Sequence, residues 1–181
     1  MKKYYLIRLF CLCFLSPLVS CTDDEEESNC LEQLGQFETN INNQTLFQAQ
    51  WTVFEFFEND ALSVTAIVVD QDCLLRAIMG FTSEPNLDRQ NFTDTVDFRE
   101  PTNISISQIN QDAVLGSWRI LEGEPNWVQF EEITETSVTG MLQATLVIRE
   151  NGNNFQTLPD TLRFDNVRFE AVPDDLLNGS N

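Results

Sequence analysis

The sequence predicts an all-β fold, an antiparallel β-sandwich, with a barrel-like closure of the same strands as the alternative. Three observations lead there. Apolar residues recur at period two along most of the chain, the spacing that lines one face of a strand. Turn-forming residues interrupt these runs at intervals of about ten residues, the mark of many short strands. Beyond residue 35 no segment sustains the 3.6-residue period of an amphipathic helix.

Taken in order, Asn29-Cys30-Leu31-Glu32-Gln33-Leu34-Gly35 predicts one helical turn, capped by Asn29 and stopped by Gly35. Phe47, Ala49, Trp51 and Val53 alternate with polar residues and predict one strand over Leu46 to Phe57. Leu62 to Val69 and Cys73 to Phe81 read as a hairpin through Asp70-Gln71-Asp72. Glu84 to Asn91 predicts a long loop. Phe92, Asp94, Val96 and Phe98 suggest a weak strand, and Ile104, Ile106 and Gln108 alternate with serines in another. Ala113 to Leu121 and Trp127 to Ile133 flank a turn at Glu122-Gly123-Glu124-Pro125.

The clearest strand is Val138 to Ile148, with Val138, Leu142, Ala144, Leu146 and Ile148 in phase. Asn151-Gly152 predicts a tight hairpin turn, because both central residues of a type I′ turn need positive φ. The return strand starts near Phe155 and meets Pro159, which marks an edge or a bulge. In the following strand Leu162 and Phe164 hold one phase while Val167, Phe169 and Ala171 hold the other. A bulge at Asp165-Asn166 would bring all five inside. Residues 30–173 therefore form one domain, and 174–181 a flexible, acidic tail.

Composition narrows the chemistry. The 181 residues carry 29 Asp and Glu, 10 Lys and Arg and no His, a formal net charge of −19. Such acidity excludes a nucleic-acid partner, which calls for Lys and Arg against phosphates. Beyond residue 20 the bases are seven Arg and there is neither Lys nor Tyr, so 29 acids leave a formal net charge of −22. Triads that use an imidazole base, His-ligated zinc and Schiff-base chemistry lack their residues. The sequence predicts no enzyme, no cofactor and no metal. Carboxylate pairs such as Glu131/Glu132 or Asp70/Asp72 arise by chance among 29 acids, and leave a glycosidase-like pair as the remaining catalytic reading.

The first 20 residues differ from the rest. Lys2, Lys3 and Arg8 precede the apolar run Leu9 to Leu15, too short to span a bilayer and typical of an export signal. Leu18-Val19-Ser20-Cys21 resembles the bacterial lipobox. That resemblance implies removal of residues 1–20 and lipidation of Cys21, whose acyl chains, palmitate among them, would anchor the protein in a membrane. An acidic tether over 21–29 follows, in which Thr22-Asp23-Asp24-Glu25-Glu26-Glu27-Ser28 is similar to the surface-export signal of Bacteroidota lipoproteins. The resemblance implies the cell surface, on the outer face of the outer membrane; a periplasm-facing anchor is the alternative. Cys30 and Cys73 then have one intramolecular pairing, a disulfide in an oxidising envelope, or remain buried thiols.

Further along, Trp127 to Ile133, Val138 to Ala144 and Leu162-Arg163-Phe164-Asp165-Asn166-Val167-Arg168-Phe169 are similar to the closing strands of small Bacteroidota lipoproteins of unknown function, with Val167 in place of their final Gly. The resemblance implies a β-rich fold and an envelope address, and no activity. Gly116-Ser117-Trp118 resembles the G-x-W of lipocalins, which implies a lipocalin-like barrel, although here it sits mid-chain. Asp94-Thr95-Val96 and Asp160-Thr161-Leu162 resemble Asp-Thr-aliphatic O-glycosylation sites of Bacteroidota envelope proteins, which implies modification of Thr95 and Thr161.

The expected function is a lipid-anchored, non-catalytic binding or accessory module that recognises a glycan or an envelope protein. Trp51, Trp118 and Trp127 are the candidate stacking residues, with core packing as the alternative for each. A purely structural envelope lipoprotein with a protein partner is the second reading.

Overall fold

A computed structural model describes residues 32–57, 61–94, 102–111, 113–149 and 156–178. Among them the strands are β1 (Gln36–Ile41), β2 (Thr45–Gln48), β3 (Trp51–Phe56), β4 (Leu62–Val69), β5 (Leu75–Ser83), β6 (Gln90–Asn91), β7 (Asn103–Asn110), β8 (Ala113–Ile120), β9 (Trp127–Ile133), β10 (Val138–Ile148) and β11 (Thr161–Pro173). A short 3-10 helix, η1 (Asp174–Asn178), follows. The fold is all-β. The pairings run β3-β4-β5-β7-β8-β10-β11 and return from β11 to β3, so the sheet closes into a barrel. One pairing departs from the antiparallel expectation: β11 meets β3 in parallel at Val172↔Val53 and Pro173↔Phe54. Pro173 has no N–H to extend that ladder, and the chain turns into η1.

Two long strands carry the closure, and each changes partner along its outer edge. β10 pairs with β9 up to Gln143 and with β8 from Leu146. The gap falls at Thr145. Its N–H donates to the Asn126 Oδ1 (2.7 Å) and its carbonyl accepts the Leu121 N–H (2.8 Å), so no buried backbone group is orphaned there. β11 pairs with β1 at Phe37 and Gln36, then with β3. Leu34 and Gly35 fill that second gap. The Leu34 N–H donates to the Gln50 carbonyl (3.1 Å) and its own carbonyl accepts from Thr52 (2.7 Å).

The interior is filled by side chains. Leu62, Val64 and Ala66 of β4 meet Met79 and Phe81 of β5, Ile106 of β7 and Trp118 of β8. Phe37, Phe47 and Phe164 pack edge to face with centroids 5.8–6.4 Å apart, and Phe81, Phe130 and Phe169 form a second such group. The predicted bulge is present. Phe164 lies opposite Ala144 and Val167 opposite Leu142, Asn166 adopts φ 50, and Leu162, Phe164, Val167, Phe169 and Ala171 are all buried.

Several expectations are corrected. The predicted turn of helix is absent where it is described: Leu34 forms a parallel bridge with Trp51, because β3 takes its backbone groups. Asn29 to Leu31 lie outside the described residues. Leu46 to Phe57 is two strands. The Ala49 N–H donates to Phe37 (2.9 Å) and the next, from Gln50, to Ile67 (2.8 Å), so consecutive residues serve different strands and the chain bends. Around Pro159 no strand forms among the described residues, since the Pro159 carbonyl is held by the Trp118 indole. Phe92 is buried without belonging to a strand, and Val96, Phe98, Phe155 and Asn151-Gly152 lie outside the described residues. The first residues of the tail form η1, whose Leu177 reaches the outer face of β3 and β4.

Candidate functional site

The structure separates the three tryptophans. Trp118 is fully buried inside the barrel, its indole N–H donating to the Pro159 carbonyl at 2.9 Å. Trp127 is 6% exposed, with the Arg89 guanidinium 4.0 Å from its ring centroid. Neither ring offers a face to a ligand, which corrects the stacking expectation for both. Their neighbours in β8 and β9 alternate inward, and burial of such large rings is the stronger driving force. Trp51 differs. Its strand partner is Ile67, an outward residue of β4, and its indole N–H has no hydrogen-bond partner.

Trp51 borders the most unusual surface of the protein. With Thr52, Phe54, Leu62, Val64 and Ala66 inside, the alternate residues of β3, β4, β5 and β7 face out. One rung crosses Ser63, Thr82 and Asn103. The next crosses Thr65, Gly80 and Ser105, and a third crosses Ile67, Ile78 and Ser107. None of these nine residues is ionisable, in a chain with 29 acids, although Glu55 of β3 lies opposite Ser63. Two clefts lie on this face. One of about 200 Å³ is lined by Phe57, Ser63, Gly80, Thr82, Asn103 and Ser105, and the other, of about 220 Å³, by Val53, Glu55, Ser63, Thr65, Ile67, Asp174 and Leu177. Ser63 belongs to both. The floor is open because Gly80 has no side chain: a Cβ there would meet nothing within 4 Å. Phe57, 42% exposed, forms one wall. The Thr82 hydroxyl beside it has no hydrogen-bond partner.

Apart from Glu55 and Asp174 at the second cleft, charged groups gather elsewhere. A third cleft of about 360 Å³ includes Asp94, Glu122 and Glu124. There Asp94 is held by Arg119 (2.6 Å) and Glu124 by Arg163 (3.6 Å). Among the described residues no group of three or more His, Cys, Asp and Glu is placed to hold a metal ion. Also among them, no helix is long and apolar enough to cross a membrane.

Asp70 has a structural task. One of its oxygens accepts the N–H groups of Asp72 (3.0 Å) and Leu74 (2.9 Å), and the other accepts from Arg76. The Leu74 N–H, and after it the Arg76 and Asp72 donors, hold its carboxyl below the ordinary value of 3.8 against a smaller opposing effect of desolvation. A lowered folded-state pKa stabilises above the ordinary value and loses that contribution as pH falls below it. Asp70→Asn is therefore expected to speed amide exchange at Asp72 and Leu74 several-fold at neutral pH, an excess that shrinks below about pH 4. An excess that persisted unchanged in acid would refute the ionic role.

Of the remaining candidates, Cys73 adopts φ 61 at the end of this hairpin and is disulfide-bonded. Cys21, Cys30 and Thr95 lie outside the described residues. Thr161 opens β11 opposite Val147, and its carbonyl accepts the Asn42 amide at 2.8 Å. The sequence reading missed Phe57, Gly80, Thr82 and Ser105. The signal was present as uncharged alternate positions at Ser63, Thr65 and Ile67, at Ile78, Gly80 and Thr82, and again between 103 and 107. Compared with known proteins, the chain matches no protein family, no curated protein and no solved structure.

Proposed function

We propose that this protein is a lipid-anchored, non-catalytic binding module of the bacterial cell envelope, displayed on the outer membrane, and that it binds through the outer face of β3, β4, β5 and β7. The observation that carries the binding role is the pair of neighbouring clefts sharing Ser63, whose floor over β4, β5 and β7 carries no ionisable side chain in a strongly acidic chain, with Glu55 and Asp174 at the edge of the second. Surfaces carry charge for solubility, so an open depression with an uncharged floor is the place where a ligand loses least on desolvation. The anchor is supported by Leu18-Val19-Ser20-Cys21 and the acidic run after it. A pairing of Cys30 with Cys73 accords with the bonded state of Cys73. It would tie the start of the domain to the β4–β5 hairpin and stabilise it by about 3–4 kcal/mol in the chain-entropy account.

Mass spectrometry of the protein purified from a bacterial envelope tests this reading. The expected result is a start at acylated Cys21, a crosslinked Cys30–Cys73 peptide before reduction, and loss of the domain when intact cells are shaved with protease. A retained Met1 or an unmodified thiol at Cys21 would overturn the anchor. Alkylation of Cys30 without reduction would overturn the pairing.

A further inference from the structure

We infer that the ligand of the β3–β4–β5–β7 face is a neutral saccharide chain; this rests on the binding-face reading above and names its ligand class. The floor offers hydroxyl and amide side chains, Ser63, Thr82, Asn103 and Ser105, groups that donate and accept alike. A sugar presents the same bifunctional hydroxyls, so ligand and floor can satisfy each other without an ionic contact. The Thr82 hydroxyl, enclosed in the floor, has no hydrogen-bond partner within the chain. Phe57 stands at one end of the face and Trp51 at the other. They are six residues apart in the chain, about 20 Å if extended. Aromatic faces suit the apolar C–H face of a pyranose.

Size favours a chain over a single ring. Each cleft alone, about 200 or 220 Å³, falls below the roughly 300–1,000 Å³ usual for ligand pockets, whereas a chain lying across both, past the Ser63 they share, would occupy a volume within it. Charge selects against acidic ligands. Glu55 and Asp174 border the second cleft, while Arg76 and Arg119 are engaged by Asp70 and Asp94. Extended peptides are also disfavoured. A peptide adding as a strand needs a free sheet edge, and β4 and β5 are paired on both sides.

The experiment is an array of neutral hexose and pentose oligomers of two to six units, with uronic-acid oligomers and extended peptides alongside. It is probed with the full-length protein as processed by a bacterial host, and hits are titrated by calorimetry. Gly80→Val fills the floor where a side chain has room, and Thr82→Val removes the hydroxyl at matched shape, so two folded variants are available. The expected result is that a neutral oligomer binds, that Gly80→Val and Phe57→Ala each weaken it about tenfold, and that Thr82→Val weakens it several-fold with unfolding midpoints unchanged. Gly80-sensitive binding of uronic-acid oligomers or peptides, with no neutral oligomer bound, would overturn the ligand class and keep the binding face. Binding insensitive to all three substitutions, or none at all, would overturn both.

Discussion

Replacing Trp118 with alanine is expected to destabilise the protein by about 3–5 kcal/mol, the range for emptying a fully buried aromatic site. Three links are lost together. The ring fills the barrel beside Met79 and Ile106. Its edge closes on Gly116, where a Cβ would stand 2.9 Å from it. Its N–H holds the Pro159 carbonyl, which draws the segment before β11 against β8. Trp118→Phe separates packing from the hydrogen bond. It keeps most of the aromatic area and should lose about 1–2 kcal/mol, for a donor removed and a carbonyl left less satisfied. Urea unfolding at neutral pH measures both. A loss below about 1 kcal/mol in the alanine variant would show that the interior does not depend on this ring.

Gly35→Ala is expected to cost about 2–4 kcal/mol and to open the barrel where it closes. Gly35 adopts φ +70, and an added Cβ would lie 2.4 Å from the Thr52 carbonyl and 2.6 Å from that of Glu170. Those oxygens belong to β3 and β11, so the methyl would push apart the two strands that complete the ring. Left-handed strain and overpacking both contribute. Gly123→Ala is the control. Gly123 has φ +85 and open space around it, so it should lose only the strain, about 1 kcal/mol. Exchange of the Thr52 and Val53 amides should rise in Gly35→Ala and remain unchanged in Gly123→Ala. Equal losses in the two variants would remove the steric account of the seam.

Much of the strand layout was readable from local pattern. The phase slip in β11 announced its bulge because a side chain that changes face leaves a mark in the period. The hairpin at Asp70 and the turn at Gly123 were readable because turn geometry demands particular residues. Trp118 and Trp127 were not resolved from Trp51, since an aromatic at an alternating position packs inward or outward depending on which strands lie beside it. The bend at Ala49-Gln50 was hidden for the same reason. It exists because adjacent N–H groups find different distant partners, Phe37 and Ile67, and nothing near residue 50 encodes either. Asn126 was equally silent. It follows the turn at Glu122-Gly123-Glu124-Pro125, and its side chain accepts the Thr145 N–H, 19 positions away. The cleft was legible only in hindsight of register: Ser63, Gly80 and Ser105 become neighbours once three strands are aligned.

The parallel contact between β3 and β11 has a consequence for how the molecule is made. Enclosure waits for the last of the described strands to be translated, so the nascent chain carries an incomplete wall until residues near 172 are available to meet residue 53. Such a distant contact raises contact order, and folding of β-rich chains of this kind falls in the millisecond-to-second range. A chain cut short before Phe169 would keep local hairpins such as β4–β5 while leaving its phenylalanine-rich lining open to water, an aggregation hazard rather than a smaller working domain.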